Sequence, residues 1–222
     1  MARKDFSRSF FGAVKNCSGG PSSPITPPSD NALRADVSGT LQRDGSATIS
    51  ATLRFGGIND NAYRGAFLKM TPVQRRLFFE RNLQSVAEGA EVLACDVKPD
   101  DLRNTDAPLT ASLTARVPDL VLKGETRRSL VVPLLSTEFG VANFLLAGKT
   151  ALAERRFPLV VSTTAEVAES LTLEFDGDAL GDALALPPEV DYRAGGYRHV
   201  RTLAVTNGTL EVDGTVSAST FR

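Results

Sequence analysis

Residues 31–55 read NALRADVSGTLQRDGSATISATLRF, and two apolar series run through them in step. Ala35, Val37, Gly39 and Leu41 hold odd positions before Asp44-Gly45, and Ala47, Ile49, Ala51, Leu53 and Phe55 hold odd positions after it. Successive side chains of a strand point to opposite faces, so period-two spacing lines all of these up on one face. Asp-Gly takes the positive φ that a tight connection needs. The stretch therefore predicts an antiparallel hairpin with one apolar and one polar face, and with it a mainly β fold.

Before the hairpin the texture is different. Residues 17–30, CSGGPSSPITPPSD, hold four prolines and two glycines and too little apolar surface to offset the entropy of ordering, so 1–30 reads as a flexible tail and linker. Its opening, Met1 to Gly20, is cationic at Arg3, Lys4, Arg8 and Lys15, but Ser, Arg and Lys interrupt its apolar residues, and it makes a poor signal peptide. After the hairpin, Gly56-Gly57 breaks the strand and Asn59 or Asp60 is placed to cap a short helix reaching about Met70. Thr71-Pro72 starts a second helix. Its residues Val73, Leu77, Phe79, Leu83, Val86 and Ala87 fall on one broad arc at 100° per residue, with Phe78 outside it. Gly89 is a stop, and Glu91 to Val97 reads as a strand.

Beyond Pro99 strand candidates recur at 109–117, 120–122, 130–135, 157–161, 171–175, 199–205 and 210–216, mostly separated by turn residues. Asn207-Gly208 is the clearest turn, setting Val205 opposite Leu210 and Leu203 opposite Val212. Asp213-Gly214 matches its neighbours less well, and 137–148 reads as a short helix. The expected fold is mainly β (α+β): a β-hairpin-plus-helix unit over 31–100, then a β-sandwich-like unit over 101–222.

Composition narrows the chemistry. With 25 Lys and Arg against 26 Asp and Glu, a net charge of −1 provides no field to gather nucleic acid. The pairs Arg75-Arg76, Arg127-Arg128 and Arg155-Arg156 are scattered and not interleaved with stacking aromatics, so no nucleic-acid partner is expected. No apolar run approaches the length of a membrane-spanning helix. One histidine excludes a His-rich metal site and routes any His-dependent nucleophile through His199. Cys17 lies in the Gly/Ser/Pro tract and Cys95 in a strand, where a thiol commonly serves as a small hydrophobe. Asp176, Asp178 and Asp182 lack the order and closing Glu of a calcium loop, and the glycine pairs 19-20, 56-57 and 195-196 fit no phosphate-binding pattern, so no metal or cofactor is expected.

Several segments taken together resemble a known family. The hairpin from Asn31 to Phe55, then Ala62-Tyr63-Arg64-Gly65 and Arg75-Arg76-Leu77-Phe78-Phe79, look like the C-terminal portion of bacterial transglutaminase-like proteins. Glu154-Arg155-Arg156-Phe157-Pro158-Leu159 followed by 197–216 is similar to their β-rich tail. Such proteins carry a β domain of unknown function, a papain-like transglutaminase core and a further β domain. The resemblance runs from about residue 31 to the end and departs from the family in lacking the core and in stopping at Arg222. It implies that the catalytic Cys, His and Asp belong to a core preceding residue 31, that no residue here is catalytic, and that Arg64, Arg156 and Pro158 are structural. It further implies a periplasmic or extracellular setting. The expected function is a non-catalytic accessory region that packs against or positions a transglutaminase-like, cysteine-protease-like core or another protein domain. The alternatives are a surface carbohydrate- or protein-binding β-sandwich, marked by Tyr63, Tyr192 and Tyr197 together on one exposed face, and a cysteine hydrolase built on His199.

Overall fold

The computed structural model describes residues 25–124, 128–140, 143, 163–176 and 185–219. The opening hairpin forms as its alternation dictates: β1 (Ala32–Leu41) pairs antiparallel with β2 (Ala47–Phe55), Leu33 opposite Phe55 and Leu41 opposite Ala47. Its connection is longer than two residues. Gln42 N–H donates to the Ser46 carbonyl and Gly45 N–H to that of Gln42, while Gly45 sits at φ +95°. Asp44 Oδ1 accepts from the Ser46 amide and hydroxyl, which fixes the turn.

After the hairpin come helices α1 (Ile58–Phe67) and α2 (Pro72–Val86), then β3 (Glu91–Lys98) and β4 (Leu109–Val117). β5 (Val121–Lys123) and β6 (Arg128–Leu130) pair as a separate ribbon. β7 (Ala165–Phe175), β8 (Val190–Ala194), β9 (Tyr197–Thr206) and β10 (Thr209–Ala218) complete the strands among the described residues. The fold is mainly β, the α+β class its patterning predicts, with α1 and α2 the α-helices given in full among the described residues. Eight strands form one mixed sheet in the order β3-β4-β2-β1-β7-β10-β9-β8. Strands from 31–100 and from 101–222 share this one sheet. β4 lies between β3 and β2, and β7 runs parallel to β1. All other neighbours in the sheet are antiparallel.

One face of this sheet is the core. Odd-numbered residues of β1, β2, β4 and β7 point into it, and α1 and α2 cover its β3–β1 half. Six rings (Phe55, Tyr63, Phe67, Phe78, Phe79 and Phe139) fill the space between helices and strands at centroid spacings of 4.7–6.4 Å. Most of these pairs are tilted or edge-on, which suits the ring quadrupoles. The other face is polar and open, with Ser38, Thr48 and Ser50 and the ion pairs Arg34–Glu166 and Arg54–Asp36.

Local chemistry explains where the elements depart from expectation. Asn59 and Asp60 do not cap α1, because the helix begins one residue ahead of them at Ile58. The cap comes from 27 residues upstream, where Asn31 Oδ1 accepts from Ile58 N–H at 3.0 Å. Asn31 Nδ2 also donates to Thr164 Oγ1, so one side chain ties the starts of β1, α1 and β7 together. Gly57 makes this possible: at φ +53° a Cβ would lie 2.2 Å from Asn31 Oδ1. The expected strand at 130–135 stops at Leu130. Pro133 can donate nothing to a ladder, and a 3-10 turn at Leu135–Thr137 follows. That turn is held by the buried Glu169 of β7, whose carboxylate accepts from Leu135 and Ser136 N–H at 2.9 and 2.8 Å. Asp213-Gly214 lies inside β10 and not at a turn, whereas Asn207-Gly208, both at positive φ, gives the predicted register of Val205 opposite Leu210. The short edge strand β8 had no clear sequence signal. The 157–161 candidate and nearly all of 137–148 beyond Gly140 lie outside the described residues.

Candidate functional site

The thiol chemistry is tested by where the strands fall. Cys95 sits on β3, where a bulge between Val92 and Ala94 shifts the alternation, leaving Leu93 exposed and turning Cys95 and Val97 toward the core. Burial, reinforced by the neighbouring Asp96 carboxylate, pushes its thiol up to about 11, so it is protonated at neutral pH. His199 is on β9, facing Tyr192 and Val216 across its two neighbours. Six strand spacings separate β3 from β9, which at 4.8 Å each is roughly 29 Å. Cys95 and His199 therefore form no catalytic pair. Cys17 lies outside the described residues. Among the described residues no group of three His, Cys, Asp or Glu is placed to hold a metal, and no helix is long and apolar enough to cross a membrane.

Arg64 is buried on α1 and all five of its N–H groups are engaged. Nε and Nη2 donate to the two oxygens of Asp60, Nη1 to the carbonyls of Leu102 and Asn104, and Nη2 also to that of Ala107. Asp60 Oδ2 further accepts from Leu109 N–H at 3.1 Å. The hydrogen bonds from Arg64 hold the Asp60 carboxyl below its ordinary range. The effect is to clamp the loop ahead of β4 onto α1. Arg156 and Pro158 lie outside the described residues.

The most distinctive surface is on α2. The helix starts as its sequence predicts, with Thr71 as the cap and Pro72 in the first turn, and Gln74 adds a capping box with Thr71. Its inward arc carries Phe79, Leu83, Val86 and Ala87, and Phe78 joins through its ring contacts. Val73 and Leu77, expected on that arc, point away from the core and are 67% and 43% exposed. Each lies more than 100° around the helix from the Phe79–Leu83–Val86 centre, so an arc drawn wide enough to include them spans two sides. Four residues apart and so on one side of α2, they form a second apolar side of the helix. A groove of about 470 Å³ runs beside it, lined by Gln74, Leu77, Phe78, Arg81 and Asn82, which follow one side of α2, and by Met70 just ahead of the helix. Its walls are chiefly apolar. The only charge among these is Arg81, 11 positions after Met70. The helix is firmly anchored beneath this stripe: Arg75 Nε donates to the Phe67 carbonyl and Glu80 accepts from Val92 N–H. The sequence held a signal for this surface in the two apolar sides of α2, which pull its amphipathicity in opposite directions.

The three tyrosines do not gather on one face. Tyr63 is half-buried in the helix-side ring cluster, its hydroxyl accepting from Gly140 N–H at 2.9 Å, and burial raises its pKa. Tyr192 and Tyr197 pair at 6.1 Å on the far end of the sheet. The hairpin at 31–55 buries its apolar side, and its exposed side is polar. No protein-family model matches the chain, and no curated protein does so either.

Proposed function

We propose that this chain is an accessory region that docks a neighbouring protein domain through the outer stripe of α2, and that the docked domain is a transglutaminase-like, papain-like core. The observation that carries the reading is the exposed pair Val73 and Leu77 one turn apart on α2, with Leu77 also lining the apolar groove. Contiguous exposed apolar surface on a helix rigidly seated in its own core marks a protein contact. The choice of a transglutaminase-like core rests on the resemblance of 31–55, 62–65, 75–79 and 197–216 to that family's C-terminal portion. The roughly 29 Å between Cys95 and His199 supports a role outside the chemical step.

The test is a calorimetric titration of the purified chain into the isolated papain-like domain of a bacterial transglutaminase-like protein. Binding that is lost in Val73→Asp/Leu77→Asp supports the reading, and an absence of binding up to about 1 mM overturns it. In parallel, the chain alone is incubated with a glutamine donor and a primary amine. Thiol-dependent amine incorporation that disappears in Cys95→Ala would replace the accessory role with an enzymatic one.

A further inference from the structure

The two edges of the eight-stranded sheet are not alike. β3 closes one edge with a bulge between Val92 and Ala94, a device that spoils further pairing. β8 closes the other with five residues in unbroken register against β9, and Asp191, Tyr192, Arg193 and Ala194 are all exposed. Its sequence, Val190-Asp191-Tyr192-Arg193-Ala194, is symmetric in character about Tyr192: a small apolar residue at each end and one charge of each sign inside. Edge strands are commonly protected by charge, because an incoming strand meets like charge. Here that protection is absent for one partner in particular. When a second β8 pairs antiparallel about a two-fold axis at Tyr192, each Asp191 lies opposite the other copy's Arg193, Tyr192 lies opposite Tyr192, and Val190 lies opposite Ala194. Residues directly opposite share a face, so the two ion pairs fall on the polar side of the sheet and the rings on the other.

A second feature favours an incoming carboxylate. Arg193 sits opposite Arg198 of β9, two like charges in register, and among the described residues Asp191 of the same strand is the carboxylate that pairs with them, held by Arg193 Nε and Nη2 at 2.9 and 3.1 Å. The two-fold contact brings a further Asp191 to each arginine pair.

We infer that the chain self-associates through β8, two copies joining edge to edge about Tyr192 to extend the sheet from eight strands to sixteen. The contact is isologous and small, because each copy supplies one five-residue strand, and so it is weak. It does not depend on the proposed docking through α2, which lies on the covered half of the sheet.

Sedimentation velocity on the full chain from about 10 µM to 1 mM tests it, the range in which so small an interface associates. The wild type is expected to pass from monomer to dimer across that range, with weaker association at high salt. Arg193→Asp, which sets Asp opposite Asp, is expected to raise the dissociation constant at least tenfold, and Asp191→Arg, which sets Arg opposite Arg, likewise. A one-to-one mixture of these two variants restores complementarity and is expected to associate as the wild type does, as is the exchanged variant Asp191→Arg/Arg193→Asp. Circular dichroism of each variant confirms that the altered residues, all exposed, leave the fold intact. A wild type that remains monomeric throughout, a dimer that persists in either single variant, or a mixture that fails to associate each overturns the inference.

Discussion

Replacing Arg64 with methionine, which keeps the length of the side chain and discards its five donors, isolates the clamp between α1 and the loop ahead of β4. Two kinds of group lose their partner. The carbonyls of Asn104 and Ala107 are partly accessible and can turn to water, whereas the bond to Leu102 is buried, as is most of Asp60, whose side chain is 22% exposed. Removing one member of a buried pair leaves the other charge uncompensated, at a cost of about 3–5 kcal/mol. For a chain of this size each kcal/mol corresponds to about 2–4 °C in melting temperature, so a loss of about 10 °C is expected for Arg64→Met. Thermal unfolding followed by far-ultraviolet circular dichroism measures it, since there is no tryptophan to report by fluorescence. Adding Asp60→Leu to Arg64→Met removes the stranded carboxylate as well, and the pair is expected to be less destabilised than the sum of the single changes by about 1–3 kcal/mol. The pH dependence follows in sign. Asp60 has a folded pKa held below its ordinary value of 3.8, so its contribution is present above that value and lost as pH falls through the folded pKa. The difference between wild type and Arg64→Met therefore narrows in acid. A melting temperature within about 2 °C of wild type, or strictly additive effects, would refute the clamp.

Two further outcomes follow from burial. In a Cys17→Ser background, Cys95 is expected to react with Ellman's reagent at pH 8 roughly tenfold more slowly than a free thiol. Raising the pKa from 9.0 to about 11 cuts the thiolate fraction about 100-fold, and the greater nucleophilicity of a more basic thiolate recovers about tenfold of that. A rate equal to that of a free cysteine would mean that β3 opens. Glu169 carries the opposite sign to Asp60: burial raises its folded pKa above 4.5, so the folded state holds the proton more tightly and stability contributed by this group is lost as pH rises through the folded pKa. Subtracting the pH-dependent melting curve of Glu169→Gln from that of the wild type should expose that slope, and a flat difference would show the carboxylate to be as well solvated folded as unfolded.

The parts of this fold that were legible in the sequence are those governed by near neighbours. Period-two spacing on both sides of Asp44-Gly45, the Thr71-Pro72 start of α2 and the Asn207-Gly208 turn each need only a few adjacent residues, and each forms with its expected partners. What escaped was decided at long range. The cap of α1 comes from Asn31, the turn after β6 is held by Glu169, and the bulge in β3 that exposes Leu93 is defined only by pairing with β4. Nothing local distinguishes these arrangements from their alternatives. The α2 surface illustrates the same limit from the other side: its apolar residues are all plain in the sequence, but only the position of the sheet decides that Phe79 and Leu83 face inward while Val73 and Leu77 do not. The site-level reading of Cys95 and His199 likewise depended on strand order, which no spacing in the sequence encodes.

The parallel pairing of β1 with β7, followed by antiparallel pairing with β10, has a consequence for how the unit can be joined to other polypeptides. Ala32 lies beside Glu166, and Ala165 beside Ala218, so the beginning of β1 and the finish of β10 emerge on the same rim, two strand spacings or roughly 10 Å apart. A gap that narrow is spanned by a handful of glycines and serines. The unit can accordingly be spliced into a surface loop of a host protein without prising its ends apart, or re-threaded by closing that rim and opening a hairpin at the opposite one.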